Sequence, residues 1–161
     1  MKEELPANHA KERQKNQKNR LVDDLIFKEE AYAIMGACFQ LYKEKGCGFL
    51  EPVYQECMEI ELNHRKISAR PKPSLLLTYR GITLRQSYEP DFICYDKIIL
   101  ELKAVEELTD QHRAQVLNYL NATGLELGLL VNFGHYSGLE WERIVRTKET
   151  RPSSTDEEFT L

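Results

Sequence analysis

The 161-residue chain has no long hydrophobic run, and it has few cysteines, prolines and glycines, which number four, six and eight. No apolar stretch approaches the ~20 residues of a membrane-spanning helix, so we expect no membrane association. The first 20 residues lack the apolar core of a secretory signal, and we therefore expect a cytoplasmic protein. The cysteines lack the paired spacing of a zinc site, which favours reduced, mostly packed thiols over a disulfide framework.

A strongly basic composition is also missing, because the formal net charge is −4. Residues 1–20 hold six Lys/Arg and three Asp/Glu, a balance of +3 that leaves −7 for the rest of the chain. This balance argues against tight, nonspecific nucleic-acid binding by the whole surface. We predict one folded domain over residues 21–147, with a disordered polar tail over residues 1–20 and a flexible tail over residues 148–161. The alternative for the first tail is a basic arm that touches nucleic acid.

Apolar periodicity and chain-breaking residues divide the middle of the chain into helices and strands. Helices are predicted over residues 25–45, 50–64 and 110–122. Pro52 fits only the first turn of the second helix, while Gly46 and Gly124 end the first and third. Strands are predicted over residues 75–79, 82–88, 91–94, 98–104, 125–133 and 141–146, the first four of them in a meander.

Two carboxylates and an amine interrupt strands that are otherwise apolar. A hairpin that turns about Asp96 places Asp91 directly opposite Glu101, with Cβ atoms about 4.5–5.5 Å apart. Strand alternation puts Lys103 on the same face and leaves the other face wholly apolar. Two like charges about 4 Å apart repel by roughly 4 kcal/mol at an effective dielectric near 20. Either one carboxyl stays protonated or a positive group lies between them, and Lys103 can offset part of the repulsion. An oxygen-only ligand set suits Mg²⁺ or Mn²⁺ better than zinc.

The alternative for this hairpin is a solvated ribbon face, since Glu-x-Lys alone is common and a one-residue slip in register would separate the acids. If the acids do share a cation, neutralising either of them should abolish metal binding. The same substitution should raise the stability of the metal-free protein, because it relieves the repulsion. We therefore expect Asp91→Asn and Glu101→Gln to behave alike.

Two helices offer further polar groups. Glu51 and Tyr54 lie near the start of the second helix, where an acid is also favourable simply because it faces the helix N-terminus. Gln115 and Tyr119 are one turn apart on the third helix, and His112 lies one turn earlier. The Gln115 amide and the Tyr119 phenol could contact a phosphate backbone, or they could form an ordinary polar helix face in solvent. We interpret His112 alone as a surface histidine.

Taken in order, these elements resemble the PD-(D/E)XK nuclease superfamily, and most closely its small bacterial branch named for a GxxExxY motif. The matching segments are Gly48–Tyr54 for GxxExxY, Pro90-Asp91 and Glu101-Leu102-Lys103 for the superfamily signature, Gln115 with Tyr119 for the Q-x-x-x-Y element of RecB-like members, and Leu129–Gly134 for the strand that follows. The resemblance covers residues 26–145, and four elements in the correct order are specific where Glu-x-Lys alone is not.

The resemblance implies an α/β fold with a restriction-endonuclease-like core, in which helices flank a mixed central sheet and the hairpin lies at its centre. It implies that Glu51, Asp91, Glu101 and the Leu102 carbonyl bind Mg²⁺ or Mn²⁺. Lys103 would orient or deprotonate the attacking water, or stabilise the phosphorane. The positioning residues implied for the substrate are Tyr54, Gln115 and Tyr119.

The function expected from this reading is metal-dependent hydrolysis of phosphodiester bonds, with DNA favoured over RNA as the nucleic-acid partner. The alternative is a catalytically silent module that keeps the fold and binds nucleic acid or protein. A purely structural subunit is the third reading. The oligomeric state is open, and a homodimer is one option.

Overall fold

A five-stranded mixed β-sheet carries two helices on one face and one helix on the other. The computed structural model describes residues 26–147, so the predicted tails over residues 1–20 and 148–161 lie outside the described part of the chain. The helices are α1 Lys28–Lys45, α2 Glu51–His64 and α3 Asp110–Thr123. The strands are β1 Ala69–Pro71, β2 Leu75–Tyr79, β3 Ile82–Tyr88, β4 Phe92–Cys94, β5 Ile98–Lys103, β6 Leu127–Asn132 and β7 Glu140–Val145. The predicted mixed sheet with flanking helices is confirmed.

The helix ends follow from local signals in the sequence. Pro52 lies in the first turn of α2, where its missing N–H costs nothing. The first turn of α3 is closed by His112, whose Nδ1 accepts a hydrogen bond from the Thr109 N–H at 3.1 Å. Gly124 then ends α3 at φ 76°, a left-handed conformation that glycine adopts without strain.

The strand order of the main sheet is β1-β4-β5-β6-β7, so β5 is central. β5 and β6 are parallel, and α3 forms the crossover between them, whereas the other neighbours are antiparallel. The predicted meander is wrong in one respect. β2 and β3 leave the main sheet and form a two-stranded sheet, and the short strand β1 pairs with β4 at the edge of the main sheet.

The β4–β5 hairpin has the register predicted from the sequence, with Phe92 opposite Leu100 and Cys94 opposite Ile98. The turn is tight: Tyr95 and Asp96 have φ of 54° and 56°, and the Lys97 N–H donates to the Cys94 carbonyl at 3.0 Å. Two successive positive φ values define the type I′ turn that suits the right-handed twist of a hairpin.

The two faces of the sheet bury different side chains. The larger core lies between the sheet and the helices α1 and α2; its strand residues include Phe92, Cys94, Ile98, Leu100 and Leu102. The smaller core lies under α3 and contains Ile93 and Ile99 together with side chains from α3. The alternation along β4 and β5 is the one predicted, with the wholly apolar set on a single face.

The two sheets belong to one long ribbon. β1 and β4 pair with Ala69 opposite Cys94, and the same register continues outward to Leu75 opposite Tyr88. Between these pairs, the Lys72 N–H donates to the Asp91 carbonyl at 2.9 Å, and Lys72 has a φ of 45°. A non-glycine residue pays about 1–2 kcal/mol for this left-handed conformation. Pairing with the main sheet ends beside Lys72, and β2 and β3 continue as a separate sheet whose first residue, Leu75, packs against the smaller core.

All four cysteines are free, and Cys38 and Cys94 are buried, as the sequence predicted. Burial raises the pKa of the Cys94 thiol to about 12, so the group behaves as a packed apolar side chain. Among residues 26–147, no helix is both long and apolar enough to cross a membrane.

Gly134 provides a stability test of the packing after β6. A Cβ at this position would lie 2.4 Å from the Val105 backbone nitrogen and 2.5 Å from its carbonyl oxygen. We expect Gly134→Ala to lower the free energy of unfolding by about 1–3 kcal/mol in urea denaturation, because the backbone at Gly134 or the backbone at Ala104 and Val105 must move to make room for the methyl group.

Gly36→Ala is the matched control. Gly36 lies within α1, and the nearest contact of an added Cβ is the end of the Arg65 side chain at 3.4 Å. The free energy of unfolding of the Gly36→Ala variant should stay unchanged or rise by up to about 1 kcal/mol, because alanine has the higher helix propensity. Equal destabilisation by both variants would contradict the close packing at Gly134.

Candidate active site

Two buried carboxylates meet where β4 begins and β5 ends. Asp91 and Glu101 are each 3% exposed, and they lie opposite one another as the register requires. Their contacts are reciprocal. The Asp91 N–H donates to Glu101 Oε2 at 3.2 Å, and the Leu102 N–H donates to Asp91 Oδ2 at 2.7 Å. The predicted pairing of the two acids is therefore present, and backbone N–H groups hold both side chains.

The shortness of β4 explains the second of these hydrogen bonds. The β4–β5 ladder ends at Phe92 and Leu100, so the Leu102 N–H has no strand partner on that side. Asp91 supplies the acceptor instead. The Lys103 carbonyl accepts from the Phe133 N–H at 2.7 Å on the β6 side, and successive carbonyls along a strand point to opposite sides. The Leu102 carbonyl therefore points toward the side on which Asp91 lies.

Lys103 neutralises part of the charge. Its Nζ lies 3.1 Å from Glu101 Oε1, and the two side chains are 11% and 4% exposed. Burial and the neighbouring Asp91 charge nevertheless raise the pKa of Glu101 to about 7, although Lys103 acts in the opposite direction. Near neutral pH, Glu101 is therefore poised between its protonated and ionised forms.

Lys72 is a site residue that the sequence reasoning missed. Its Nζ lies 2.6 Å from Asp91 Oδ1. Burial lowers the pKa of Lys72, but the hydrogen bond to Asp91 and the charges of Asp91, Glu101 and Glu51 outweigh it, and the net pKa is raised. The ammonium group therefore lies among the three acids that the sequence predicted as metal ligands.

Glu51 reaches the same region from the first turn of α2. It lines a cleft of about 240 Å³ whose other walls include Gln55, Lys72 and Asp91. The Gln55 amide donates to the Asp91 carbonyl at 3.3 Å, which ties α2 to the end of β4. The structure thus places Glu51 in the same cleft as Asp91, one of the paired acids.

Gln115 and Tyr119 approach from the opposite side, on α3. The Gln115 side-chain amide donates to the Tyr119 hydroxyl at 2.9 Å. Tyr119 is only 4% exposed and packs in the smaller core, so it is not part of a solvated helix face. Burial, and then the charge of Glu101, raise the pKa of Tyr119. The phenol therefore stays neutral and keeps its proton.

Tyr54 lies inside the larger core. Its ring stacks on Phe133 with centroids 4.7 Å apart, and its hydroxyl donates to the Gly46 carbonyl at 2.7 Å. The Phe49 N–H in turn donates to the same hydroxyl at 3.3 Å. These contacts fix the turn that leads into α2 and so hold Glu51 in place. The predicted contact of Tyr54 with substrate stays a prediction.

A buried amide holds the segment that follows Lys103. Asn132 is fully buried, and its side chain both accepts from the Val105 N–H at 3.0 Å and donates to the Val105 carbonyl at 2.9 Å. The same amide donates to Glu140 at 2.9 Å, and Glu140 accepts from the Leu108 N–H. The polar residues at the ends of β6 and β7 therefore position the chain between Lys103 and α3.

Within residues 26–147, no three His, Cys, Asp or Glu side chains are gathered closely enough to hold a metal as they stand. Each of the two paired acids contacts an amine, Asp91 that of Lys72 and Glu101 that of Lys103. The donor set itself consists of carboxylate and carbonyl oxygens, which fits Mg²⁺ or Mn²⁺. The chemistry of these oxygens suits such an ion, and the ion pair between Lys72 and Asp91 occupies one of the acids.

The raised pKa of Glu101 predicts how stability depends on pH. The folded pKa of about 7 lies above the ordinary value of 4.5, so the folded state binds more protons between these values. The stability of the metal-free protein should therefore fall as pH rises from about 4.5 to 7. Glu101→Gln should remove this loss and be more stable than the wild type at pH 8 by on the order of 2 kcal/mol, measured by urea denaturation with a chelator.

The structure separates this variant from Asp91→Asn, which the sequence had predicted to behave alike. Asp91 has the shorter contacts, 2.6 Å to Lys72 and 2.7 Å to the Leu102 nitrogen, where Glu101 has 3.1 Å to Lys103 and 3.2 Å to the Asp91 nitrogen. Neutralising Asp91 weakens these stronger bonds and should not stabilise the protein. Glu107→Gln, at an exposed position before α3, is the control, and its stability should match that of the wild type at pH 8 and throughout the range from about pH 4.5 to 7. Equal stability of Glu101→Gln and wild type at pH 8 would contradict the conclusion that the ionised Glu101 carboxylate destabilises the folded protein.

Comparison with known proteins gives three findings. The family model of the PD-(D/E)XK nuclease superfamily matches residues 28–144. The crystal structure of the protein SSO0001 superposes with a TM-score of 0.50 at 19% sequence identity, and it covers 59% of this chain. The match spans about half of that protein, 49% of its chain, and at this identity it supports the fold alone. No curated protein matches.

The matched region contains every described element except the last residue of β7, and it includes the paired acids and Lys103. The region matched by the family model is well over half of the chain, and it contains the central hairpin and the mixed sheet. The chain belongs to the PD-(D/E)XK nuclease superfamily.

Proposed function

We propose that this protein is a divalent-metal-dependent nuclease of the GxxExxY type, with DNA rather than RNA as its substrate. The observation that carries the proposal is the buried pair of Asp91 and Glu101 with Lys103 on the same face. Burying two acids and an amine is costly unless they serve one another or a ligand. A nuclease of this superfamily needs that set, and the chain keeps all of it.

The groups that would hold the ion are Glu51, Asp91, Glu101 and the Leu102 carbonyl, with Mg²⁺ or Mn²⁺ as the ion their oxygens suit. A bound ion of this kind polarises a phosphoryl oxygen and lowers the pKa of water. Lys103 is held by Glu101 at 3.1 Å, so its ammonium is fixed in direction. It would orient the attacking water and stabilise charge that develops on the phosphate.

The remaining site residues would position the substrate and the site itself. Gln115 and Tyr119 form a hydrogen-bonded pair that would present donors to a phosphate beside Glu101. Tyr54 would act through the turn before α2, where its hydroxyl holds the Gly46 carbonyl. Lys72 would exchange its contact with Asp91 for a contact with substrate phosphate.

A cleavage assay tests the proposal. Plasmid and single-stranded DNA are incubated with the protein and Mg²⁺ or Mn²⁺, and we expect metal-dependent cleavage by the wild type. Lys103→Met should lower the cleavage rate about 10²–10³-fold, because it removes a fixed cation from the reacting phosphate.

Lys97→Met is the matched control. Lys97 lies in the β4–β5 turn, at the end of β5 far from the acids, and its side chain is 48% exposed. It pairs with Glu30 of α1. Its activity should equal that of the wild type. Metal-independent DNA retention without cleavage, equal in wild type and Lys103→Met, would instead identify a catalytically silent binding module.

The ion pair between Lys72 and Asp91 predicts competition with the metal. Because the ammonium lies 2.6 Å from Asp91 Oδ1, a bound ion must replace it there. We expect Lys72→Met to bind Mn²⁺ several-fold more tightly than the wild type in isothermal titration calorimetry without DNA. Lys97→Met should bind Mn²⁺ like the wild type, and weaker binding by Lys72→Met would contradict the competition.

A further inference from the structure

The hairpin formed by β2 and β3, here called the arm (residues 75–88), has an unusual surface. Every residue of β3 is exposed. Three large side chains of the arm are strongly exposed. Tyr79 of β2 and Ile82 of β3 form a cross-strand pair, 66% and 70% exposed, on one face, and Leu76 of β2, 71% exposed, lies on the other. Such a concentration of exposed apolar and aromatic side chains marks an interaction surface rather than ordinary surface scatter.

The charge of this region is opposite to that of the chain. Residues 65–88 contain six Lys/Arg and no Asp/Glu, while the whole chain has a net charge of −4. The remaining residues therefore carry −10, which is the difference between −4 and +6. At the tip of the arm, the Arg80 guanidinium lies 5.8 Å from the centroid of the Tyr79 ring. Three of the six basic side chains, Arg65, Arg70 and Lys72, pair with Glu61, Asp96 and Asp91, so much of this charge is neutralised locally. The arm itself contributes Arg80 and Arg85 and no acid. Positive charge without acids on an otherwise acidic protein favours a polyanionic partner.

The arm is continuous with the candidate active site. The first pairs of its two strands continue the register of β1 and β4, so Lys72 and Asp91 lie at its base, and the register shifts only further out, between Leu76 and Thr78. At the same end, the Tyr88 ring contacts the Tyr119 ring edge-on, with centroids 5.7 Å apart. Tyr88, Gln115 and Tyr119 line one cleft of about 270 Å³. A chain lying along the arm would therefore lead to the buried acids.

We propose that the arm binds an unpaired nucleic-acid strand and guides it into the active site. Arg80 and Arg85 would contact the phosphates, and Tyr79 would stack on a base. Exposed aromatic and aliphatic side chains beside arginines suit the open faces of unpaired bases, which a duplex hides in its own stack. This inference rests on the proposed function only in taking nucleic acid as the substrate.

Binding measured without catalysis tests the arm. A fluorescein-labelled single strand of roughly 20 nucleotides and its duplex are titrated with the full chain in EDTA, and affinity is read by anisotropy at several salt concentrations. The double variant Arg80→Gln/Arg85→Gln should bind the single strand about tenfold more weakly. The slope of log affinity against log salt should fall in magnitude by about 1.4, which is about 0.7 for each lost charge.

Lys43→Gln/Lys45→Gln is the matched control, since it makes the same change in net charge at exposed positions in the last turn of α1. It should keep the affinity and the salt slope of the wild type. Tyr79→Ala should weaken single-strand binding at least about fivefold with the salt slope unchanged, because it removes stacking and no charge. Thermal melts of each variant should match the wild type, since all the altered side chains are exposed.

The outcomes separate this inference from the proposed function. If the wild type cleaves DNA and the arm variants keep wild-type affinity, the arm inference is wrong and the nuclease stands. If the wild type never cleaves but the arm variants lose affinity, the arm binds nucleic acid and the nuclease proposal fails. Tighter binding of the duplex than of the single strand, or arm-dependent self-association with no nucleic-acid binding, would overturn the inference.

Discussion

The site depends on a reciprocal pair of hydrogen bonds between the ends of two strands. The Asp91 N–H donates to Glu101, and the carboxylate of Asp91 accepts from the Leu102 N–H. These bonds hold two buried acids side by side against their repulsion. They exist because β4 stops at Phe92 and leaves the end of β5 without a strand partner on that side. A longer β4 would cover this edge with backbone, and the acids would lose their fixed places.

Local patterns were sufficient to predict the central hairpin. The alternation of Phe92, Cys94, Leu100 and Leu102 excludes registers that are one residue out if the apolar face is to be buried, and the turn assumed about Asp96 selects the register that the structure has. The opposition of Asp91 and Glu101 follows directly from it. Helix ends were also readable within a few residues, because proline and glycine mark them. The sequence therefore predicted the centre of the site before any long-range contact was known.

Long-range contacts were the part that the sequence did not reveal. Lys72 reaches Asp91 because β1 pairs with β4, and nothing in a three-residue strand that ends in a proline predicts that partner. Asn132 shows the same limit. Its segment matched a family pattern, but only the fold shows that its amide holds Val105 and so fixes the chain after Lys103. Average charge also concealed the basic region, since an acidic total hides a local run of six Lys/Arg.

The separation of β2 and β3 from the main sheet has a consequence for solubility. Within residues 26–147 this sheet has only two strands, so the outer edge of each strand presents unpaired N–H and C=O groups. Exposed apolar side chains beside such edges would invite strand-to-strand pairing between copies of the chain. Arg80 and Arg85 place like charges on any two arms that approach each other, and this repulsion discourages the first step of aggregation.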